Sequence, residues 1–181
     1  MKFIITLCLA HLAFSARVCL PKSWILEWHF TPDDYINFAL TLNAETIESF
    51  GWVGVGFKLD SDGAGMVGGD IAMIIFPDLP KDTYSESNRL PKLDSEYGGS
   101  DDVIEPFYDP AQMKYSWRRR VFSGDFYDKK YERDAEMQLM WACGLMMGPT
   151  QIKHFAGNRD RFHIVLSEDF TYGCEGSFLA A

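Results

Sequence analysis

The sequence is poor in the residues that most often carry chemistry. Its 181 residues include 4 histidines and 4 cysteines. No Ser/His/Asp arrangement, paired acid and base, or phosphate-binding glycine loop can be assembled from them, which argues against an enzyme in its own right. Asn-x-Ser/Thr sequons are absent, so export would not bring N-glycosylation with it. Basic residues are in deficit, 17 Lys and Arg against 26 Asp and Glu, a net charge of −9. Such a surface repels phosphate backbones and anionic lipid, which excludes nucleic acid as a partner. No apolar run approaches the roughly 20 residues needed to span a bilayer. No extended 3.6-residue period is present, which excludes a helical bundle.

The N-terminus has the layout of a signal peptide. Lys2 gives a short positive end, Phe3 to Phe14 are largely apolar, and Ala13-Phe14-Ser15 offers small residues near a cleavage point. Cleavage after Ser15 or Ala16 is expected, making residues 1–15 the signal and 16–181 a single secreted domain. Ser177-Phe178-Leu179 is too brief for a lipid-anchor tail. Loss of Lys2 leaves 16 basic residues (17 − 1) against 26 acidic ones, a net charge of −10. Cys8 leaves with the signal. Of the remaining three, Cys19 and Cys174 lie near the two ends in polar surroundings, whereas Cys143 closes the apolar run that starts at Leu139. A Cys19–Cys174 disulfide with Cys143 as a buried free thiol is expected; intermolecular pairing by one of the three is the alternative.

The dominant period is two. Ile36, Phe38, Leu40 and Leu42 alternate with polar or small residues. Val53, Val55, Phe57 and Leu59 alternate with Gly54 and Gly56. Similar alternation places Tyr115, Trp117, Arg119 and Val121 on one face, then Met137, Leu139 and Trp141, then Phe162, Ile164 and Leu166. Asp70 to Phe76 is a short apolar run, as in a strand covered on both sides. Ser23 to Phe30 opens the fold as a further strand. Turn signals such as Thr31-Pro32-Asp33-Asp34 and Gly148-Pro149 separate the runs. The aromatic share of 15% suits packing on a pleated surface. The pattern predicts an all-β fold, an antiparallel immunoglobulin-like β-sandwich. Pro80 to Pro110 reads as short strands and long loops, and the charged Asp125 to Glu136 as a solvated loop.

The central motif is Trp52-Val53-Gly54-Val55-Gly56-Phe57, followed by the glycine-rich Gly63-Ala64-Gly65-Met66-Val67-Gly68-Gly69-Asp70. Glycines on one strand face leave room for a flat ligand or another backbone. Arg120 to Asp125, Met140-Trp141-Ala142-Cys143-Gly144, and His154 before Gly157-Asn158-Arg159 complete an ordered series. In that order the sequence resembles the DOMON family of extracellular β-sandwich domains, from about Trp24 to Leu166. In the cytochrome branch of that family a b-type haem is held between a loop methionine and a late histidine. The resemblance implies Met66 and His154 as axial ligands of haem b. Met/His ligation fills both axial sites, which suits single-electron transfer with a separate redox partner. The pocket walls it suggests are Trp28, Trp52, Phe57 and Phe155, with Lys153 or Arg159 meeting a propionate. Other DOMON branches bind no haem, so a secreted binding module for a carbohydrate or protein partner is the alternative.

The remaining motifs are weaker. Asp60-x-Asp62-Gly63 starts like a calcium loop, but its closing position is Ile71 rather than Glu. His29 and His163 read as strand residues. Arg118-Arg119-Arg120 reads as a polar strand edge. The acids of Asp125 to Asp134 could bind a cation weakly, though a solvated loop is the simpler reading. Cys143 has apolar neighbours and is no nucleophile.

Overall fold

A computed structural model of the protein describes residues 16–174. The expected signal peptide and the Ser177–Leu179 segment lie outside the described residues. The chain forms β1 (Ala16–Leu20), β2 (Trp24–Phe30), β3 (Tyr35–Thr41), the short α1 (Ala44–Ser49), β4 (Trp52–Lys58) and β5 (Gly69–Ile75). There follow β6 (Lys81–Ser85), β7 (Lys92–Leu93), β8 (Ile104–Asp109), β9 (Lys114–Arg120) and β10 (Glu136–Gly144). The last strands are β11 (Met146–Met147), β12 (Thr150–Gln151), β13 (Arg159–Val165) and β14 (Thr171–Tyr172).

Two six-stranded sheets pack as a sandwich, one in the order β14-β1-β2-β3-β9-β8 and the other β13-β10-β4-β5-β6-β7; β11 and β12 form a small separate hairpin. Every pairing is antiparallel except β1 with β14. Among the described residues no helix is long and apolar enough to cross a membrane.

The period-two faces meet between the sheets. Trp24, Leu26 and Trp28 of β2, Ile36, Phe38 and Leu40 of β3, and Val53, Val55 and Phe57 of β4 are all buried in one core. Trp24 and Trp141 meet edge to face across the sheets, ring centroids 5.3 Å apart. A disulfide joins Cys19 of β1 to Cys174, and Cys143 is a buried free thiol, both as expected.

The structure departs from the sequence reading in four places. β1 adds a strand whose Ala16, Val18 and Leu20 are buried, in a stretch too short for its period to stand out. The six-residue α1 has too few turns to show a helical period; Asn43 caps it by accepting from the Thr46 amide at 2.8 Å. Arg118-Arg119-Arg120 is not a polar edge. β9 lies inside its sheet, and Arg119, 2% exposed, points inward beside Trp117 while Arg118 points outward and stacks on Tyr35. The Asp125 to Glu136 loop folds back over the end of the sandwich, burying Tyr131 against Phe38 and Phe57.

Candidate functional site

Residues on the opposite parity of β4, β5 and β10 form a second, smaller apolar cluster on the outer face of the second sheet. It consists of Trp52, Ile71, Met73 and Met140, with Met66, Ala142 and Met146 packed against it. Glycine makes this face possible. A Cβ on Gly56 would stand 2.7 Å from the Asp70 carbonyl oxygen and 2.6 Å from the Ile71 side chain. The strand can therefore lie flat beneath its neighbours only without a side chain there.

Three loops rise around this face and enclose a cavity of about 470 Å³, within the roughly 300–1,000 Å³ common for ligand sites. Met66 arrives on the glycine-rich loop between β4 and β5. Its amide donates to Asn88 Oδ1 at 3.0 Å. The preceding Gly65 has φ +68°, and a Cβ there would lie 2.1 Å from Asn88 Oδ1, so this turn needs glycine. His154 arrives on the segment after β12. Trp52 Nε1 donates to the Ile152 carbonyl at 2.9 Å and holds that segment against the sheet. The Trp52 and His154 rings lie 6.3 Å apart.

Met66, His154, Trp52, Lys153 and Arg159 all line this one cavity. His154 Nδ1 is buried and has no hydrogen-bond partner among the described residues. Burial, then the nearby charges of Arg159 and Lys153, hold the ring's pKa below the ordinary histidine value. Both features suit a neutral imidazole with a lone pair to give. Arg89 and Arg161 join Lys153 and Arg159 in the lining, so four basic residues, against the single acid Asp160, line a cavity of an acidic chain.

Three suggested wall residues lie elsewhere. Trp28 and Phe57 point into the inter-sheet core: Trp28 belongs to the first sheet, and alternation along β4 puts Phe57 opposite to the outer face. Trp28 Nε1 donates to the Ser167 carbonyl at 3.2 Å, and Phe57 packs on Phe38 at 5.2 Å. Phe155 follows His154 directly but turns to solvent, 64% exposed. The walls are instead Trp52, Ile71, Met73 and Met140, with Leu90 and Pro91 from the loop after β6. A signal for this lay in the alternation itself, since Trp52 shares parity with Gly54 and Gly56, whereas Phe57 does not.

Lys58 was also missed. It shares the glycine face of β4, is 0% exposed, and donates to the carbonyls of Gly63 at 2.5 Å, Gly65 at 3.4 Å and Val67 at 3.2 Å. Arg161 Nη1 reaches the Gly65 carbonyl at 3.1 Å from the other side. These contacts set the path of the Met66 loop.

No family model and no curated protein matches the chain. Among solved structures it is similar to the cytochrome b domain of pyranose dehydrogenase from Coprinopsis cinerea. The TM-score is 0.56 at 11% sequence identity, covering 86% of this chain and 83% of that one. The likeness is one of fold. It bears out the coarser part of the expected resemblance, a β-sandwich shared with a cytochrome b domain.

The residues present fit a haem. They offer a thioether and an imidazole whose Nδ1 has no partner among the described residues on one cavity, apolar walls from Trp52, Ile71, Met73 and Met140, and cations for carboxylate side groups.

Proposed function

We propose that the protein is an extracellular electron-transfer domain that holds a b-type haem in the cavity on the outer face of its second sheet. The observation that carries this reading is that Met66 and His154, distant in sequence, line one largely apolar cavity with four basic residues in its wall. The fold shared with a cytochrome b domain supports it. The Cys19–Cys174 disulfide supports an oxidising compartment.

When bound, the haem supplies a one-electron reservoir. The chain's own part is to hold and tune it. Met66 and His154 would hold the iron through a thioether and an imidazole, a ligand pair that suits electron transfer rather than oxygen chemistry. The apolar cluster of Trp52, Ile71, Met73 and Met140 would keep water from the bound group. Lys153 and Arg159 of the cavity lining would pair with its carboxylate groups. The partner is a separate redox protein, and the domain is an accessory without a catalytic constellation of its own.

Titrating haemin into the purified protein tests this. A low-spin Met/His spectrum is expected, reversible on reduction, and lost or converted to high-spin in Met66→Ala and His154→Ala. A folded protein that leaves haemin unbound would sink the reading and leave the cavity to a haem-free binding role toward a carbohydrate or protein.

A further inference from the structure

At the end of the sandwich where the Asp125 to Glu136 loop folds back, carboxylates gather in numbers the haem cavity does not explain. Asp70 and Asp82 point inward from β5 and β6. Asp94 opens the turn after β7, Asp102 precedes β8, and Asp125 and Asp128 lie on the loop between β9 and β10. Carboxylate oxygens of Asp70, Asp82 and Asp128 lie within 4.8 Å of one another, and so do those of Asp102, Asp125 and Asp128. The two groups share Asp128.

One cation faces them from within. Arg119 pairs with Asp70, Asp82 and Asp128. Three carboxylates on one guanidinium, with the half-buried Asp102 and Asp125 next to Asp128, leave an excess of negative charge where a buried charge is tolerated only when paired.

The surplus has a location. Asp94 is 1% exposed, and neither of its carboxylate oxygens accepts a hydrogen bond from the described protein. Asp128 Oδ2 and Asp82 Oδ1 are likewise buried and accept none, although Asp82 Oδ1 lies 3.0 Å from an Arg119 nitrogen. The antiparallel pairing of Thr83 with Leu93 in β6 and β7 sets the adjoining residues, Asp82 and Asp94, beside each other at the end of that ladder. The surrounding backbone holds the loops in position. The Asp102 amide donates to Asp82 Oδ2 at 2.7 Å, and the Ser100 amide to Asp125 Oδ2 at 2.7 Å.

We propose that Asp82, Asp94, Asp102 and Asp128 bind a calcium ion. An all-oxygen donor set, without His or Cys among the clustered residues, selects a hard cation. Donors from two loops and a strand can adjust to the six to eight ligands calcium takes, whereas magnesium demands a tighter octahedron and keeps its waters. The ion supplies the positive charge that Arg119 alone does not. It ties the loop before β8 and the loop before β10 to β6, and so closes this end of the sandwich. The inference is independent of the haem reading, because the cluster lies on the inner face and at the sandwich end rather than in the outer cavity.

Thermal unfolding of the purified full chain, freed of divalent ions by EGTA, tests the site. Added calcium chloride at about 100 times the dissociation constant is expected to raise Tm by about 5–10 °C, and magnesium chloride by much less. In EGTA, Asp94→Asn is expected to be at least as stable as the wild type, because it removes a repelled charge, and its calcium response is expected to shrink or vanish. A purely structural hydrogen-bonding role would make the same variant unstable under both conditions and would overturn the proposal. Calorimetric titration of the wild type serves if the variant fails to fold. Absence of saturable calcium binding there, with no shift in Tm, also overturns it.

Discussion

The ammonium nitrogen of Lys58 sits 2.5 Å from the carbonyl oxygen of Gly63 and 3.2 Å from that of Val67, bracketing Met66 in the loop between them. A buried lysine hydrogen-bonded to main-chain carbonyls is costly to desolvate, so its contacts must recover that cost. Burial lowers its pKa, and the charge of Asp62 opposes the shift.

Lys58→Met is therefore expected to destabilise the fold by about 1.5–3 kcal/mol, the range for a lost hydrogen bond to a charged group. Urea denaturation would measure it. The variant should also bind haemin more weakly than wild type under conditions where both are folded, because the loop carrying Met66 loses its internal anchor.

The two faces of β4 separate binding from stability. Phe57→Ala is expected to cost about 3–5 kcal/mol, as for other large-to-small core changes, with haem affinity in the surviving folded fraction little changed. Trp52→Ala removes both a cavity wall and the hydrogen bond to the Ile152 carbonyl, so haem affinity should fall and the absorption maximum shift. Equal effects of the two changes on haem binding would contradict the assignment of walls.

Glu27 links β2 to its neighbours through Arg17 at 2.7 Å and Lys114 at 3.3 Å. Its pKa is lowered: burial would raise it, but the hydrogen bond from Arg17 and the charge of Lys114 more than offset this. The stabilisation is present above the ordinary glutamate pKa of about 4.3 and is lost as pH falls through the lower folded value. Glu27→Gln should thus reduce the urea midpoint at pH 7 and have little effect at pH 3. A loss that is independent of pH would argue for packing instead.

The Cys19–Cys174 bond closes a loop with a sequence separation of 155. On the chain-entropy relation, a Cys19→Ser/Cys174→Ser variant is expected to lose about 5 kcal/mol, read as a lower urea midpoint. Cys143 should stay unmodified by thiol reagents in the native protein, since burial pushes its pKa up to about 11.

Much of the sandwich was legible because alternation assigns a side to each residue before any partner is known. Ile36, Phe38 and Leu40, or Met137, Leu139 and Trp141, could lie together only on a covered face. The same rule argued for Trp52 over Phe57 as a cavity wall once the glycines were taken as the outer face. Arg119 was harder. Its parity with Tyr115 and Trp117 pointed inward, while its charge pointed outward, and the conflict is resolved by Asp70, Asp82 and Asp128 arriving from other elements.

By itself, then, the sequence determined the long alternating strands and their inner faces and favoured the cysteine pair, because these follow from local periodicity and the positions of the only three cysteines beyond the expected signal peptide. Which outer face becomes a cavity was decided only in three dimensions. Loops carrying Met66, Arg89 and His154 converge over Gly54 and Gly56, and no local pattern encodes that convergence. The acidic cluster is also tertiary: apart from Asp70, its carboxylates look solvated in their own segments, and only packing brings their charges to face one another.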